Sequence, residues 1–260
     1  MNEKTISRRS LLKLASASTV TAAAVLPSAA RAAQAVQWDE TYEIIVVGAG
    51  GAGMAAAVKA AQKGAKHVVV LEKLNFPGGN TLISQGFINA ADPVRQPKQG
   101  IKDSWQHHAE QTLEAGDFRG QKDRVDVLCR NAYPTIEWLE SLGMQFKPKV
   151  IQIFGALYPR SHVPALPKGQ GYGTVLSKAA KEVGVEVSTG MGVEEIIREK
   201  PFEGDVLGVV AKNAKGEIKR IRATRGVVLA AGGFSANKYL RELHDPRVAG
   251  LGTDNLPGAT

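Results

Sequence analysis

The sequence contains one cysteine, Cys129, and this scarcity excludes several kinds of chemistry. No disulfide can form within the chain, no zinc site can be built from cysteines, and there is no C-x-x-C-H motif to attach a haem. Any haem that serves this protein must therefore belong to a separate one. Cys129 lies in an apolar pattern, so we predict a buried structural thiol rather than a reactive one.

The chain also lacks a dense run of basic residues outside its first 32 positions. Its formal net charge is +8, but five of its 33 basic residues and one of its 25 acidic residues lie in that opening segment. The remainder therefore holds 28 basic and 24 acidic residues, a net charge of +4. Such a mild excess does not suit a surface that follows phosphates, so we expect no nucleic-acid partner.

No apolar run is long enough to span a membrane, which takes about 20 residues. The run at residues 14–26 is short, and it lies between a charged start and a small-residue end, as in a secretory signal. Residues 7–13, SRRSLLK, resemble the twin-arginine export motif, and A-x-A cleavage sites end at Ala32 and Ala35. We predict a signal peptide over residues 1–32, recognition by the twin-arginine (Tat) export machinery and a periplasmic location; an uncleaved amphipathic anchor is the alternative. Because this route carries folded proteins, it also predicts a non-covalent cofactor inserted before export.

After a linker at residues 33–40, the pattern predicts one α/β domain over residues 41–260. An apolar strand, a glycine turn, an alanine-rich helix and a second apolar strand follow one another, as in a Rossmann-like domain with a parallel sheet. Two alternating segments on either side of Asn213 to Gly216 predict an antiparallel hairpin insert. The predicted elements are strands at residues 44–47, 67–71, 185–188, 206–212 and 217–223, and helices at residues 54–62 and 173–183.

Residues 101–142 are predicted to be largely helical. Within them, Pro134 is expected to open a helix that stops at Gly143. Glu137 and Glu140 then fall on the polar face of this helix, without a spacing that suggests catalysis.

The first predicted strand leads directly into the glycine turn. Gly48, Gly50 and Gly53 match G-x-G-x-x-G, which permits a tight turn, lets a pyrophosphate approach the backbone and allows close packing of helix on strand. The helix N-terminus favours anions through its free N–H groups and its dipole. Glu72 ends the second strand, where a carboxylate accepts hydrogen bonds from ribose hydroxyls and repels a 2′-phosphate. The pattern predicts a dinucleotide site but does not separate NAD from FAD.

The residues after the second strand favour FAD over NAD, because they resemble a known family. EKLNFPGGNTLISQGFINAA, residues 72–91, resembles the signature of the fumarate reductase and flavocytochrome c family of FAD-dependent oxidoreductases, and residues 185–197, 226–234 and 253–260 resemble later motifs of that family. The resemblance implies non-covalent FAD. Together with the glycine turn, it implies as cofactor-binding residues Gly48, Gly50, Ala52, Gly53, Glu72, Lys73, Gly79, Asn80, Thr81, Gly86, Val193, Ala231, Gly232, Thr253 and Asn255.

Gly86 is also the substrate contact that the resemblance implies. The family usually has a second glycine at the next position, where this chain has Phe87, so the ring either favours a substrate other than plain fumarate or packs inward on the core. The family's capping domain and its arginine proton donor would follow Thr260. We therefore expect an amino-terminal fragment without the capping domain, and we assign no catalytic residue and no metal ligand within it.

By resemblance, the function is reduction of the double bond of an α,β-unsaturated carboxylic acid such as fumarate, urocanate or a cinnamate-like acid. The hydride would come from flavin N5 and the electrons from a separate c-type cytochrome. Two alternatives remain open. One is a dehydrogenase working in the opposite direction, as in the related steroid dehydrogenases, and the other is a fragment that holds FAD without a substrate site.

Three histidines are assigned no chemistry. His162 lies in a segment that resembles a family motif near the flavin domain, and we predict that it fixes the loop between Pro159 and Pro167. His107 and His108 lack a third ligand at suitable spacing, so we predict that they lie on a solvated helix face rather than at a metal.

Overall fold

A six-stranded sheet forms the centre of residues 36–260, the part of the chain that the computed structural model describes. The signal peptide predicted over residues 1–32 lies outside the described residues. The strands are β1 (Glu40–Val47), β2 (Val68–Glu72), β3 (Ile88–Asn89), β4 (Ser161–His162), β5 (Glu186–Thr189), β6 (Met191–Lys200), β7 (Glu203–Asn213) and β8 (Ile218–Leu229). The helices are α1 (Gly51–Gln62), α2 (Trp105–Ala115), α3 (Lys122–Ser141), α4 (Gln170–Glu182) and α5 (Lys238–His244).

The six strands lie in the order β5-β2-β1-β8-β7-β6. β5, β2, β1 and β8 pair in parallel, so their carboxyl ends meet at one edge of the sheet. Val47 marks this edge, because it pairs with Leu71 on one side and with Leu229 on the other. Parallel sheets bind ligands at this carboxyl edge.

Both faces of the parallel strands are covered, which explains their uninterrupted apolar sequences. Val46 and its neighbours face a cluster built with α1 and α4, whereas Ile45 and Val47 face a second cluster that includes residues of β6, β7 and β8. Ile45 and Val46 have no exposed surface, and β2 is buried along its whole length. The α/β class with a parallel-rich sheet is therefore confirmed.

The antiparallel insert is confirmed and is larger than predicted. β6, β7 and β8 form a three-stranded meander, and the predicted hairpin is its second turn. β8 belongs to both parts of the sheet, since Ile218 to Arg222 pair with β7 and Ile221 to Leu229 pair with β1. β1 starts at Glu40, so the last residue of the predicted linker already lies in a strand.

The prediction that Pro134 opens a helix is wrong. Pro134 lies inside α3, which runs unbroken from Lys122 to Ser141. The helix continues through the proline because Cys129, Ile136 and Leu139 lie on one buried face, and packing along that face offsets the backbone hydrogen bond that proline cannot donate. The other helix within residues 101–142 is α2, which packs against α3. Cys129 is a buried free thiol, as predicted.

The solvated face predicted for the histidine pair is also wrong for one of the two residues. His107 is partly exposed and contacts Asp103 through Nδ1 at 3.1 Å. His108 is only 8% exposed, because it lies on the face of α2 that packs within the domain. Burial, together with the positive charge of Arg160, lowers the pKa of His108 to about 4.

His162 does fix the loop on which it lies. It is fully buried, its Nε2 contacts the Asp92 carboxylate at 2.9 Å, and its Nδ1 is close to the carbonyl oxygens of Ile88 and Arg160. None of the helices within residues 36–260 combines the length and apolarity needed to cross a membrane.

Candidate cofactor site

A cleft opens at the carboxyl edge of β1, β2 and β8, where the sheet meets the amino end of α1. Its volume is about 280 Å³, near the lower end of the range of about 300–1,000 Å³ typical of ligand sites. Two of its lining side chains are charged, Glu72 and Lys73, and the other lining residues are glycine, aliphatic, Met, Asn or Thr. Most of the polar groups that the cleft offers a ligand are therefore backbone groups.

The glycines of the β1–α1 turn are required for close contacts within the protein and for access to the cleft. Gly48 has φ +98°, and a Cβ there would lie 2.5 Å from the carbonyl oxygen of Ala230. A Cβ on Gly53 would lie 1.9 Å from the carbonyl oxygen of Gly48. At Gly50 a Cβ would meet nothing within 4 Å, because this position faces open space in the cleft. Gly48 and Gly53 permit the turn, and Gly50 leaves room for a ligand.

The amino end of α1 is suited to an anion. Its N-cap, Gly50, has no side chain to accept a hydrogen bond from the first turn, and that turn contains no acidic residue. Thr81 Oγ1 accepts a hydrogen bond from the N–H of Gly51 at 3.0 Å. The following N–H groups have no partner within the helix, so they and the helix dipole favour a phosphate at this point.

Glu72 lies beside the β1–α1 turn, and its carboxylate is held by two backbone hydrogen bonds. Its Oε2 accepts a hydrogen bond from the N–H of Ala49 at 2.8 Å, and its Oε1 accepts one from the N–H of Leu74 at 2.9 Å. The residue is only 7% exposed, although it lines the cleft. Because each carboxylate oxygen has further lone pairs, Glu72 can still accept from ribose hydroxyls.

Asn80 makes a contact that the resemblance did not indicate. Its Oδ1 accepts a hydrogen bond from the N–H of Leu256 at 2.8 Å. Leu256 belongs to residues 253–260, which contribute Leu256, Gly258, Ala259 and Thr260 to the cleft lining. Asn80 therefore joins the glycine-rich side of the cleft to the opposite side.

Gly86 lies outside this cleft and is fixed by packing. Its φ is +77°, and a Cβ there would lie 2.4 Å from the carbonyl oxygen of Lys168. The carbonyl of Gly86 accepts a hydrogen bond from the Tyr172 hydroxyl at 2.7 Å, and burial raises the pKa of Tyr172 to about 12. Phe87, beside it, is half-buried.

The structure brings most of the predicted cofactor residues together in one cleft. Those that line it are Gly48, Gly50, Ala52, Glu72, Lys73, Gly79, Asn80, Thr81, Val193, Ala231 and Gly232. Four do not line it. Gly53 is a packing position in the turn, Gly86 lies elsewhere, and Thr253 and Asn255 are exposed, with Asn255 Nδ2 donating to Ser235 Oγ at 2.5 Å.

Some lining residues were not predicted. Leu74, Met191, Gly233 and Leu256 belong to this group. Leu74 follows β2 by two residues, whereas Met191 begins β6, which reaches this edge because of the strand order. Strand order is not readable from local sequence patterns. Among the described residues, no group of three or more His, Cys, Asp or Glu side chains is arranged to hold a metal ion.

The cleft defines the class of this protein as a dinucleotide-binding domain. Open space over Gly50, unpaired N–H groups at the start of α1 and the carboxylate of Glu72 fit the pyrophosphate and ribose of FAD. The sequence model of the family described as FAD binding domain matches residues 43–260. The chain belongs to this family, and FAD is its cofactor.

Known proteins of similar sequence and structure are oxidoreductases. The urocanate reductase of Eggerthella lenta is 37% identical over 223 residues, 84% of this chain and 36% of that protein. The open conformation of a flavocytochrome c3 fumarate reductase has a TM-score of 0.79 at 31% identity, covering 86% of this chain and 39% of that one. A 3-ketosteroid-Δ4-(5α)-dehydrogenase from Rhodococcus jostii RHA1 has a TM-score of 0.76 at 28% identity, covering 88% of this chain and 53% of that one. The chain spans about half or less of the length of the curated relatives that it matches.

Proposed function

We propose that this FAD-binding oxidoreductase reduces the double bond of a small α,β-unsaturated carboxylic acid such as fumarate or urocanate. The observation that carries the proposal is the family match over residues 43–260, together with relatives that are named for reduction of urocanate and fumarate. Fumarate and urocanate share a carbon–carbon double bond conjugated with a carboxylate. The common chemistry is therefore a two-electron reduction of an activated double bond.

The cleft supports this chemistry by what its own residues do. When bound and reduced by an electron donor, FAD would supply the hydride, from flavin N5, that the β-carbon of the activated double bond accepts. The amino end of α1 binds the negatively charged pyrophosphate, and Glu72 accepts hydrogen bonds from the ribose hydroxyls. The aliphatic side chains of Val47, Leu71 and Val193 exclude water from the cleft floor. We assign proton transfer to no residue of the described range.

The proposal includes export and a separate electron donor. Arg8 and Arg9 lie in a twin-arginine motif, and a cofactor loaded before export matches the family's non-covalent FAD. A relative named as a cytochrome-linked fumarate reductase, from Shewanella frigidimarina, supports a c-type cytochrome as the electron donor, and we propose that this donor is a separate protein. Replacing Arg8 and Arg9 together with lysine should retain the protein in the cytoplasm, as fractionation and immunoblotting would show. Unchanged periplasmic accumulation would contradict the Tat route.

The test of the activity is an anaerobic assay of the purified full-length protein with reduced methyl viologen. Fumarate, urocanate and cinnamate are supplied one at a time, and succinate is the saturated control. Oxidation of the dye that depends on one unsaturated acid supports the proposal. A normal visible flavin spectrum without acid-dependent oxidation contradicts it.

A dehydrogenase working in the opposite direction is the second candidate, favoured by the similarity to the 3-ketosteroid dehydrogenase. The same preparation tests it. Reduction of an oxidised dye by a 3-ketosteroid, without oxidation of reduced dye by any unsaturated acid, would favour this candidate over the first. A flavin spectrum without either activity would favour a non-catalytic FAD-binding role.

A further inference from the structure

The two sides of the cleft are held in different ways. One side consists of the β1–α1 turn and the short 3-10 helix Gly79–Thr81, both anchored to the central sheet. The other side is residues 253–260, which we call the wall segment. The wall segment contains no regular element, and among its residues Ala259 alone is buried. The position of this side therefore depends on individual contacts.

Two further hydrogen bonds join the wall segment to a poorly buried neighbour. The N–H of Ala236 donates to the carbonyl of Ala259 at 2.8 Å, and Asn255 Nδ2 donates to Ser235 Oγ. These partners immediately precede α5, a helix of seven residues in which no side chain is buried. Such weakly packed structure opens at low free-energy cost. On this side the wall segment is therefore attached to a weakly packed neighbour.

Asn80 makes the corresponding contact across the cleft. Its Oδ1 accepts from the N–H of Leu256 at 2.8 Å, a partly buried bond between residues 176 positions apart. The short helix that carries Asn80 is attached to the β1–α1 turn, because Thr81 Oγ1 accepts from the N–H of Gly51 and the N–H of Gly78 donates to the carbonyl of Ala49 at 2.7 Å. An element attached to the β1–α1 turn therefore presents the acceptor, and the wall segment presents the donor.

We infer that Asn80 is a positioning residue that holds the wall segment against bound FAD and so slows release of the cofactor. The inference rests on this cleft being the FAD site. It differs from the role that the resemblance implies, a direct contact between the Asn80 side chain and the cofactor. Lys73 also holds the wall segment, since its Nζ contacts Thr260 Oγ1 at the end of the segment. Asn80 bonds to Leu256, in the middle of the segment.

Two substitutions separate the positioning role from direct contact. Asn80→Ala removes the acceptor, whereas Asn80→Asp keeps an acceptor oxygen at nearly the same place and removes the amide donor. As a matched control, Asn213→Ala deletes an asparagine Oδ1 that also accepts from backbone N–H groups, those of Lys215 and Glu217 at 2.9 and 3.0 Å, in the β7–β8 hairpin turn. Asn213 pairs with the cleft residue Met191 but does not itself line the cleft. All three are compared with the wild-type protein loaded with FAD.

The experiment measures amide hydrogen exchange at Leu256 and the rate of FAD dissociation in the same preparations. Loss of one hydrogen bond should speed both by about three- to tenfold in Asn80→Ala. Asn80→Asp should keep the slow exchange at Leu256, and Asn213→Ala should change neither quantity.

The inference is overturned if Asn80→Ala releases FAD faster while exchange at Leu256 stays as in the wild type, because Asn80 would then contact only the cofactor. Exchange at Leu256 in Asn80→Asp as fast as in the alanine variant would also overturn it, and this comparison remains decisive if the alanine variant does not fold. Neither readout involves turnover. An inactive protein would contradict the proposed function without affecting this test.

Discussion

The cofactor cleft and the polar cluster between α2 and β4 use opposite means to place polar groups. In the cleft the polar groups are mainly backbone N–H groups and carbonyls, exposed by glycines at the ends of strands. In the cluster they are buried charged side chains, with Asp103 and Arg160 joined by two hydrogen bonds and Asp92 in contact with His162. Dense ionisable chemistry therefore marks a structural support in this protein, and the ligand site is marked by its scarcity.

The cluster is saturated, which is why we assign it no ligand. The Asp103 carboxylate accepts from Arg160 at 2.8 and 2.9 Å, from Gln96 at 2.9 Å and from the N–H of Ser104 at 2.9 Å. Burial by itself raises the pKa of Asp103, but the bonds from Arg160 and Gln96 outweigh it and lower the pKa to about 2. An ionised carboxylate with this many donors has no lone pair free for a substrate.

Asp103→Ala should have the largest effect of the substitutions considered, and it should act on stability. Arg160, whose side chain is 5% exposed, would be left as an unpaired buried charge, which costs about 3–5 kcal/mol of unfolding free energy. Urea denaturation measures the loss. Glu182→Ala is the control, because the Lys178–Glu182 pair is exposed and should contribute less than about 1 kcal/mol. Equal losses in the two variants would mean that the cluster is not a structural support.

Gly53→Ala should have the next largest effect and should damage fold and cofactor binding together. The new Cβ would lie 1.9 Å from the carbonyl oxygen of Gly48, so α1 and the turn must separate. Overpacking of this kind costs up to about 3 kcal/mol, and the displaced turn should lose FAD. Urea denaturation and the flavin-to-protein absorbance ratio measure the two losses. A stable variant with full flavin content would show that the turn can relax.

Sequence patterns could predict the glycine turn because its requirements are local. Gly48, Gly50 and Gly53 act within one strand, turn and helix, and apolar runs of four or five residues identified β1 and β2 to within a few residues. The cluster was not predictable, because Asp103 and Arg160 are 57 positions apart and meet only after α2 and β4 have packed. The contact of Asn80 with Leu256 was missed for the same reason.

The two errors in the sequence analysis arose where packing outweighed a local signal. Pro134 is a strong helix-start signal, yet α3 continues through it because the buried face of the helix extends on both sides of the proline. His108 is polar, yet the face of α2 that carries it is buried. Whether residues 253–260 line the cleft likewise depended on tertiary contacts, and the structure places Leu256 there while leaving Thr253 and Asn255 exposed.

Gly50→Ala should have the smallest effect on the fold and still weaken FAD binding, which sharpens the contrast with Gly53. Gly50 has φ −69° and ψ 177°, a conformation open to alanine, and its Cβ would meet no atom within 4 Å. The unfolding free energy should therefore change by less than about 1 kcal/mol. The methyl group would enter the space that a pyrophosphate needs, so FAD affinity should fall at least about tenfold. Quenching of flavin fluorescence on titration measures the affinity, and Gly250→Ala, where a Cβ also meets no atom within 4 Å, is the control. Wild-type affinity in Gly50→Ala would mean that the cofactor does not approach the start of α1. The cleft would then not bind FAD through backbone groups, and its contrast with the side-chain cluster would no longer hold.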